Sequence, residues 1–198
     1  MKKVVILITG QEKRLELSSK IRYIVNPLKE NYNVIVVLSL SKTQNFTNKH
    51  KYKKIISKTC NIKKELKNIE YYINNIEYPE LKTNKELVKM YDNQEKGEKY
   101  IKNRALNHVK QYYTLANSWP IIKKIKPHIL IRIRDDAILI KPLKLSELIQ
   151  VNSYSKKYII TPIKNKWRGI NDKFAIVSRK AIAIYLKKPF KMYYSNEI

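Results

Sequence analysis

The chain opens on a run of aliphatic residues, Val4-Val5-Ile6-Leu7-Ile8, that ends at Thr9-Gly10. An unbroken apolar run of this length marks a strand buried on both faces, as in a parallel sheet. From Leu15 to Leu28 the apolar residues are spaced as on one side of a helix, with Pro27 near its end. Asn31-Tyr32-Asn33 then leads into a second apolar run, Val34 to Leu40, which reads as a parallel partner of the first strand. Strand, glycine turn, helix and strand make a βαβ crossover.

From Ser41 to Lys102 the pattern weakens, because Asn, Lys and Glu dominate. Only modest apolar segments stand out, around Ile62 to Ile76 and Leu87 to Tyr91, and they predict one or two helices between long basic loops. Order returns between Arg104 and Ile125, where Leu106, Val109, Tyr113, Ala116 and Trp119 recur at three- and four-residue steps. This predicts a core helix that kinks or ends near Pro120, and its spacing assigns Tyr112, Tyr113 and Trp119 to the core rather than to a base-stacking platform. After Pro127 comes Ile129-Leu130-Ile131-Arg132-Ile133-Arg134, apolar at first and then alternating. That is the signature of a central strand running out toward a ligand site at its carboxyl end. Further strands are predicted at Tyr158 to Pro162 and Phe174 to Val177, and a helix from Ser178 to Leu186 with Ser178 as its N-cap. With no internal repeat and no linker, the fold class is α/β, a single domain over 1–198 with a mostly parallel central sheet flanked by helices.

Composition changes this picture in two ways. Forty-two Lys and Arg against 16 Asp and Glu give a formal charge of +26, enough to attract polyanions non-specifically over most of the surface. The lysines are spread along the whole chain rather than gathered in one arm, so the charge fits either a nucleic-acid or anionic-membrane surface or a general preference for Lys, Asn and Ile. Cys60 is the single cysteine and cannot form an internal disulfide, which fits a reduced, cytoplasmic setting. Met1-Lys2-Lys3 before the first apolar run imitates a signal peptide, but Gln11-Glu12-Lys13-Arg14 interrupts it, and a buried first strand is the better reading. No stretch approaches the roughly 18 to 20 apolar residues that span a bilayer, so no transmembrane segment is expected.

The strongest chemical signal is Asp135-Asp136 flanked by Arg132 and Arg134, directly after the central strand. A diphosphate must have its charge neutralised before it can leave; a hard cation bridges it to carboxylates, and arginines hold its free oxygens. The competing reading is a set of exposed ion pairs, each worth about 1 kcal/mol or less. Scarcity favours chemistry, since three of the four aspartates are Asp135, Asp136 and Asp172. Asn171-Asp172 precedes an apolar run and reads either as a site or as an Asx turn. Gly10 and Gly169, two of three glycines, lie beside the proposed ligand-facing loops. His108 and His128 have no second His or Cys at metal-ligand spacing and read as structural.

Three segments together, Ile8-Thr9-Gly10-Gln11 with Arg14, Arg132-Ile133-Arg134-Asp135-Asp136, and Gly169-Ile170-Asn171-Asp172-Lys173-Phe174-Ala175, resemble the small, viral-type GT-A glycosyltransferases. The resemblance runs through most of the chain in order and is thin between Ser41 and Lys102. It implies a GT-A-like, Rossmann-like domain with a nucleotide-binding half over about 1–136 and an acceptor-side half over about 137–198. It further implies a metal-dependent transferase that moves a sugar from a nucleotide-diphosphate donor, UDP-sugar favoured, to a hydroxyl of a glycan or protein acceptor. Asp136, with Asp135, would hold Mn²⁺ or Mg²⁺, while Gly10, Gln11, Arg14, Arg132, Arg134, Asp135 and Asn171 would contact the donor. Asp172 would act as catalytic base. The sequence departs from the family's D-x-D because Arg134 stands in place of the first acid. Two other readings stay open: a basic nucleic-acid-binding protein, and a non-catalytic GT-A-like binding domain.

Overall fold

The computed structural model describes residues 1–42, 61–82, 88, 97–144, 146, 148, 157–162 and 173–194. Strand β1 (Lys3–Gln11) is followed by a 3₁₀ turn at Glu12–Arg14 and a helix built from α1 (Ser18–Lys20), a wider π turn over Ile21–Val25 and α2 (Asn26–Lys29). Pro27 has no N–H to give the carbonyl of Tyr23 four residues back. That carbonyl instead accepts the N–H of Leu143 at 3.0 Å, which ties the helix to the chain beyond the central strand. β2 (Asn33–Ser41) completes the βαβ unit.

After α3 (Ile62–Glu65) comes β3 (Glu70–Ile76), a strand that the apolar pattern had not separated from helix. The reason is its place at the sheet edge: Tyr72 and Ile73 are exposed and most of its residues lack a core-facing period. Helix α4 (Glu98–Ile125) begins earlier than expected and runs through Pro120 rather than ending there; it closes at Lys126 in the left-handed conformation, φ 54°. β4 (Ile129–Arg134), β5 (Ile159–Ile160) and β6 (Phe174–Ser178) follow, then a 3₁₀ turn at Arg179–Ala181 and α5 (Ile182–Tyr194). Ser178 occupies the cap position, but its hydroxyl accepts the N–H of Tyr158 at 2.9 Å instead of a helix amide, because β5 lies beside it. The expected Leu87 to Tyr91 segment lies outside the described residues apart from Val88.

The six strands form one mixed sheet in the order β3-β2-β1-β4-β6-β5. The first four are parallel, and β6 runs antiparallel to β4 and β5. The chain steps from β1 out to β3, then returns to place β4 on the other side of β1. The carboxyl ends of β1 and β4 therefore flank the topological switch point, the place where open α/β sheets bind ligands.

Strand alternation divides the core into two layers. Val4, Ile6, Ile8, Val36, Leu38, Ile131 and Ile133 face the first helix, where they meet Leu17, Ile24 and Leu28. Val5, Leu7, Ile35, Val37 and Leu130 face the other way, onto Leu115 and Ile122 of α4 and Ile182 and Leu186 of α5. Each such side chain contributes about 1.5–3 kcal/mol on burial. Trp119 and Tyr112 pack against this second layer, and Tyr113 against a third cluster around Val109, so the core role expected of all three is what the fold gives them. Among the described residues no helix is long and apolar enough to cross a membrane.

Candidate functional site

Toward the carboxyl ends, the α4-facing side of the sheet turns from apolar to polar. β1 passes from Val5 and Leu7 to Thr9, β2 from Ile35 and Val37 to Ser39 and Ser41, and β4 from Leu130 to Arg132 and Arg134. Register lines these up, Thr9 with Ser39 on one side and Arg134 on the other. Helix α4 answers with its own polar turn: the Ser118 hydroxyl donates to Ser39 at 2.8 Å, and Thr114 bonds the Tyr78 hydroxyl at 3.0 Å. Between them lies a cavity of about 210 Å³, lined by Thr9, Gly10, Gln11, Arg14, Arg132, Arg134 and Asp135 from the strand ends and by Tyr78, Asn107, Lys110, Gln111 and Thr114 opposite.

Asp135 forms the floor. Its residue is fully buried, and both carboxylate oxygens are used: the N–H of Gln11 donates to Oδ2 at 2.9 Å, Arg14 Nε to Oδ2 at 3.0 Å and an Arg14 terminal nitrogen to Oδ1 at 3.2 Å. Its backbone is held as firmly, with its N–H on Thr9 and its carbonyl accepting from Glu16 N and from the Lys20 ammonium. Burial raises the Asp135 pKa and Arg14 opposes the rise. The carboxylate presses so close to Gly10 (φ 146°) that a Cβ there would sit 2.1 Å from Oδ1. Only glycine satisfies both the backbone and the contact.

Below this floor Lys20 is fully buried, its ammonium bonded to the carbonyls of Glu16, Asp135 and Ala137 and to the Glu16 carboxylate. Burial lowers its pKa, with Glu16 the main opposing influence. This lysine fastens the turn that follows β4 to the first helix.

Asp136 points elsewhere. It is not part of the cavity lining, and it makes a two-pronged pair with Arg134, Nε to Oδ1 at 3.0 Å and a terminal nitrogen to Oδ2 at 2.8 Å, with Arg14 at 3.4 Å. Burial acts to raise its pKa, but Arg134 and then Arg14 outweigh that and hold it below the usual carboxylate value. Arg134 also donates its backbone N–H to the carbonyl of Lys173 at 3.0 Å, so the start of β6 abuts the site.

Arg132 differs from its neighbours. It is 2% exposed and makes one hydrogen bond, Nε to the Thr9 hydroxyl at 3.1 Å. Its two terminal nitrogens carry four further N–H donors that find no acceptor among the described residues. An unpaired buried charge costs several kcal/mol, roughly, unless something outside the chain pairs with it. Across the cavity stands Lys110, its ammonium 5.5 Å from the centre of the Tyr78 ring and its pKa lowered by burial. Four cations thus surround one carboxylate, an arrangement for binding an anion of more than one charge.

A divalent ion is a poorer match. Asp135 accepts three hydrogen bonds and Asp136 is clamped by Arg134, so an ion would have to displace a guanidinium from one of them and then sit among those remaining. Among the described residues no three His, Cys, Asp or Glu side chains gather as metal ligands. His128 accepts the N–H of Lys3 through Nδ1, and His108 packs its ring edge-on against Tyr112; both are structural.

Of the residues singled out in the sequence, Gly10, Gln11, Arg14, Arg132, Arg134 and Asp135 come together around the cavity and Asp136 lies beside it. Asn171 and Asp172, like Gly169 and Cys60, lie outside the described residues. Sequence reasoning missed the opposite wall of Tyr78, Asn107, Lys110, Gln111 and Thr114. The available signal was the helical spacing of Asn107, Lys110, Gln111 and Thr114, a polar stripe next to the apolar one. No protein-family model and no curated protein matches the chain.

Proposed function

We propose that this protein is a glycosyltransferase of the GT-A type, which moves a sugar from a nucleotide-diphosphate donor, UDP-sugar favoured, to a hydroxyl of a glycan or protein acceptor. The observation that carries the reading is the buried, unsatisfied Arg132 fork in a cation-lined cleft at the switch point of the sheet. A cavity of about 210 Å³ is smaller than the roughly 300–1,000 Å³ of whole-ligand clefts, so it takes the anionic part of such a donor and leaves base and sugar to extend beyond it. As the sugar bond breaks, negative charge collects on the departing diphosphate, and fixed guanidinium donors stabilise that charge without reorganising. The acceptor hydroxyl must lose a proton; Asp172, carried over from the family resemblance, is the proposed base, one residue before Lys173.

The test is thermal stability with UDP, GDP and CMP, in salt that screens the basic surface, followed by transfer from the nucleotide sugar that stabilises best. Selective stabilisation by one nucleotide and turnover lost in Asp172→Asn support the transferase. Selective binding without turnover supports a non-catalytic domain of the same fold, and equal, salt-sensitive responses to every polyanion support a nucleic-acid-binding protein.

A further inference from the structure

The resemblance brings a divalent ion with it, and the cleft as built has another way to meet a diphosphate. Charge compensation by metal needs carboxylates with open lone pairs facing the phosphate. Here the carboxylate on the cavity floor is turned inward, accepting from Gln11 and Arg14, and the second is engaged by Arg134 outside the lining. The cavity is lined by donors: Arg132, whose terminal N–H groups find no acceptor among the described residues, with Lys110 on the opposite wall and Arg14 and Arg134 beside them. A guanidinium fork matches two phosphate oxygens in geometry as well as charge.

We infer that this cleft binds the phosphates of its ligand directly, through Arg132 and Lys110, without a divalent cation, and that Asp135 is a positioning residue that fixes Arg14 and the Gly10-Gln11 turn. This deepens the transferase reading and rests on it only for the identity of the ligand. The ligand class is a diphosphate ester, and its simplest mimic is inorganic pyrophosphate. Lys110, with its pKa lowered by burial, takes up charge more readily once an anion lies beside it, so binding weakens as pH rises through its range.

The experiment is calorimetric titration of pyrophosphate into the full chain at a salt concentration that screens the surface lysines, once with EDTA and once with Mn²⁺. Saturable binding to one site is expected in EDTA, and Mn²⁺ is expected not to tighten it, since the ion only competes for pyrophosphate in solution. Arg132→Gln weakens it about 30-fold or more, Arg132→Lys by an intermediate factor, and Lys124→Gln, an exposed lysine of α4, by less than about twofold. Binding that requires Mn²⁺, or equal losses in Arg132→Gln and Lys124→Gln, overturns the inference. Should Arg132→Gln fail to fold, the comparison of EDTA with Mn²⁺ on the unaltered chain decides alone. Pyrophosphate binding in EDTA with no turnover of any nucleotide sugar leaves the clamp standing and removes the transferase; turnover only with Mn²⁺ does the reverse.

Discussion

The two sides of the sheet's carboxyl edge hold equally polar residues in opposite conditions. On the side of the first helix, Lys20, Glu16 and Ser19 satisfy one another and the backbone of the turn after β4, including the carbonyls of Asp135 and Ala137. On the side of α4, Arg132 is almost as deeply buried, lines the cavity and leaves most of its donors without an acceptor among the described residues. The first arrangement fixes a shape; the second leaves donors that the proposed anion would pair. Buried charge alone therefore does not identify a binding site; unmatched buried charge does.

That contrast breaks most completely at Gly10. Gly10→Ala drives a methyl into the Asp135 carboxylate at a strained φ and is expected to cost about 3 kcal/mol or more, read as a fall in urea midpoint, and to weaken pyrophosphate binding as Arg14 loses its anchor. Lys20→Met comes next: it strands the carbonyl of Ala137, takes one of two donors from that of Asp135, and costs about 2–3 kcal/mol in the same measurement. Arg132→Met has the opposite sign. Removing an unpaired buried cation raises stability by about 1 kcal/mol while anion binding is lost, a trade confined to the α4 side.

The adjacent acids sharpen the comparison through pH. Asp136 has a lowered folded pKa, so its contribution is present at neutral pH and is lost as pH falls through that value. Asp135 has a raised folded pKa, so the penalty of its buried charge is present at neutral pH and is relieved as pH falls. As pH falls from about 7 to 4, the stability of the unaltered chain relative to Asp135→Asn is expected to rise, whereas relative to Asp136→Asn it is expected to hold steady there and to fall only below about pH 4, by denaturant titration. The smallest effect is Lys126→Gly at the end of α4, where a left-handed residue without a Cβ gains about 0.5–1 kcal/mol in thermal unfolding.

The βαβ opening, the central strand and the strand-end wall of the site were legible in the sequence, because strands buried on both faces read as aliphatic runs and their polar ends stand out. Arg132-Ile133-Arg134-Asp135 shows the limit of that reading. Strand alternation predicts that both arginines share a face, but it does not show that Asp135 turns into the cavity while Asp136 turns out of it to Arg134. Which acid is sealed and which is half-exposed depends on Arg14 and Lys20, more than a hundred residues away in the chain. Strand β3 escaped for a different reason: an edge strand that buries little carries no period to read. The wall offered by α4 escaped because a polar stripe on a helix ordinarily faces water, and only the third dimension turns Asn107, Lys110 and Gln111 toward a cavity.

The contact between Gly10 and the Asp135 carboxylate has a consequence for descent as well as for folding. Neither position can drift alone: a side chain at 10 demands a shorter residue at 135, and a residue at 135 without a side-chain oxygen releases both Arg14 and the turn. Relatives of this chain are therefore expected to change at the two positions in step.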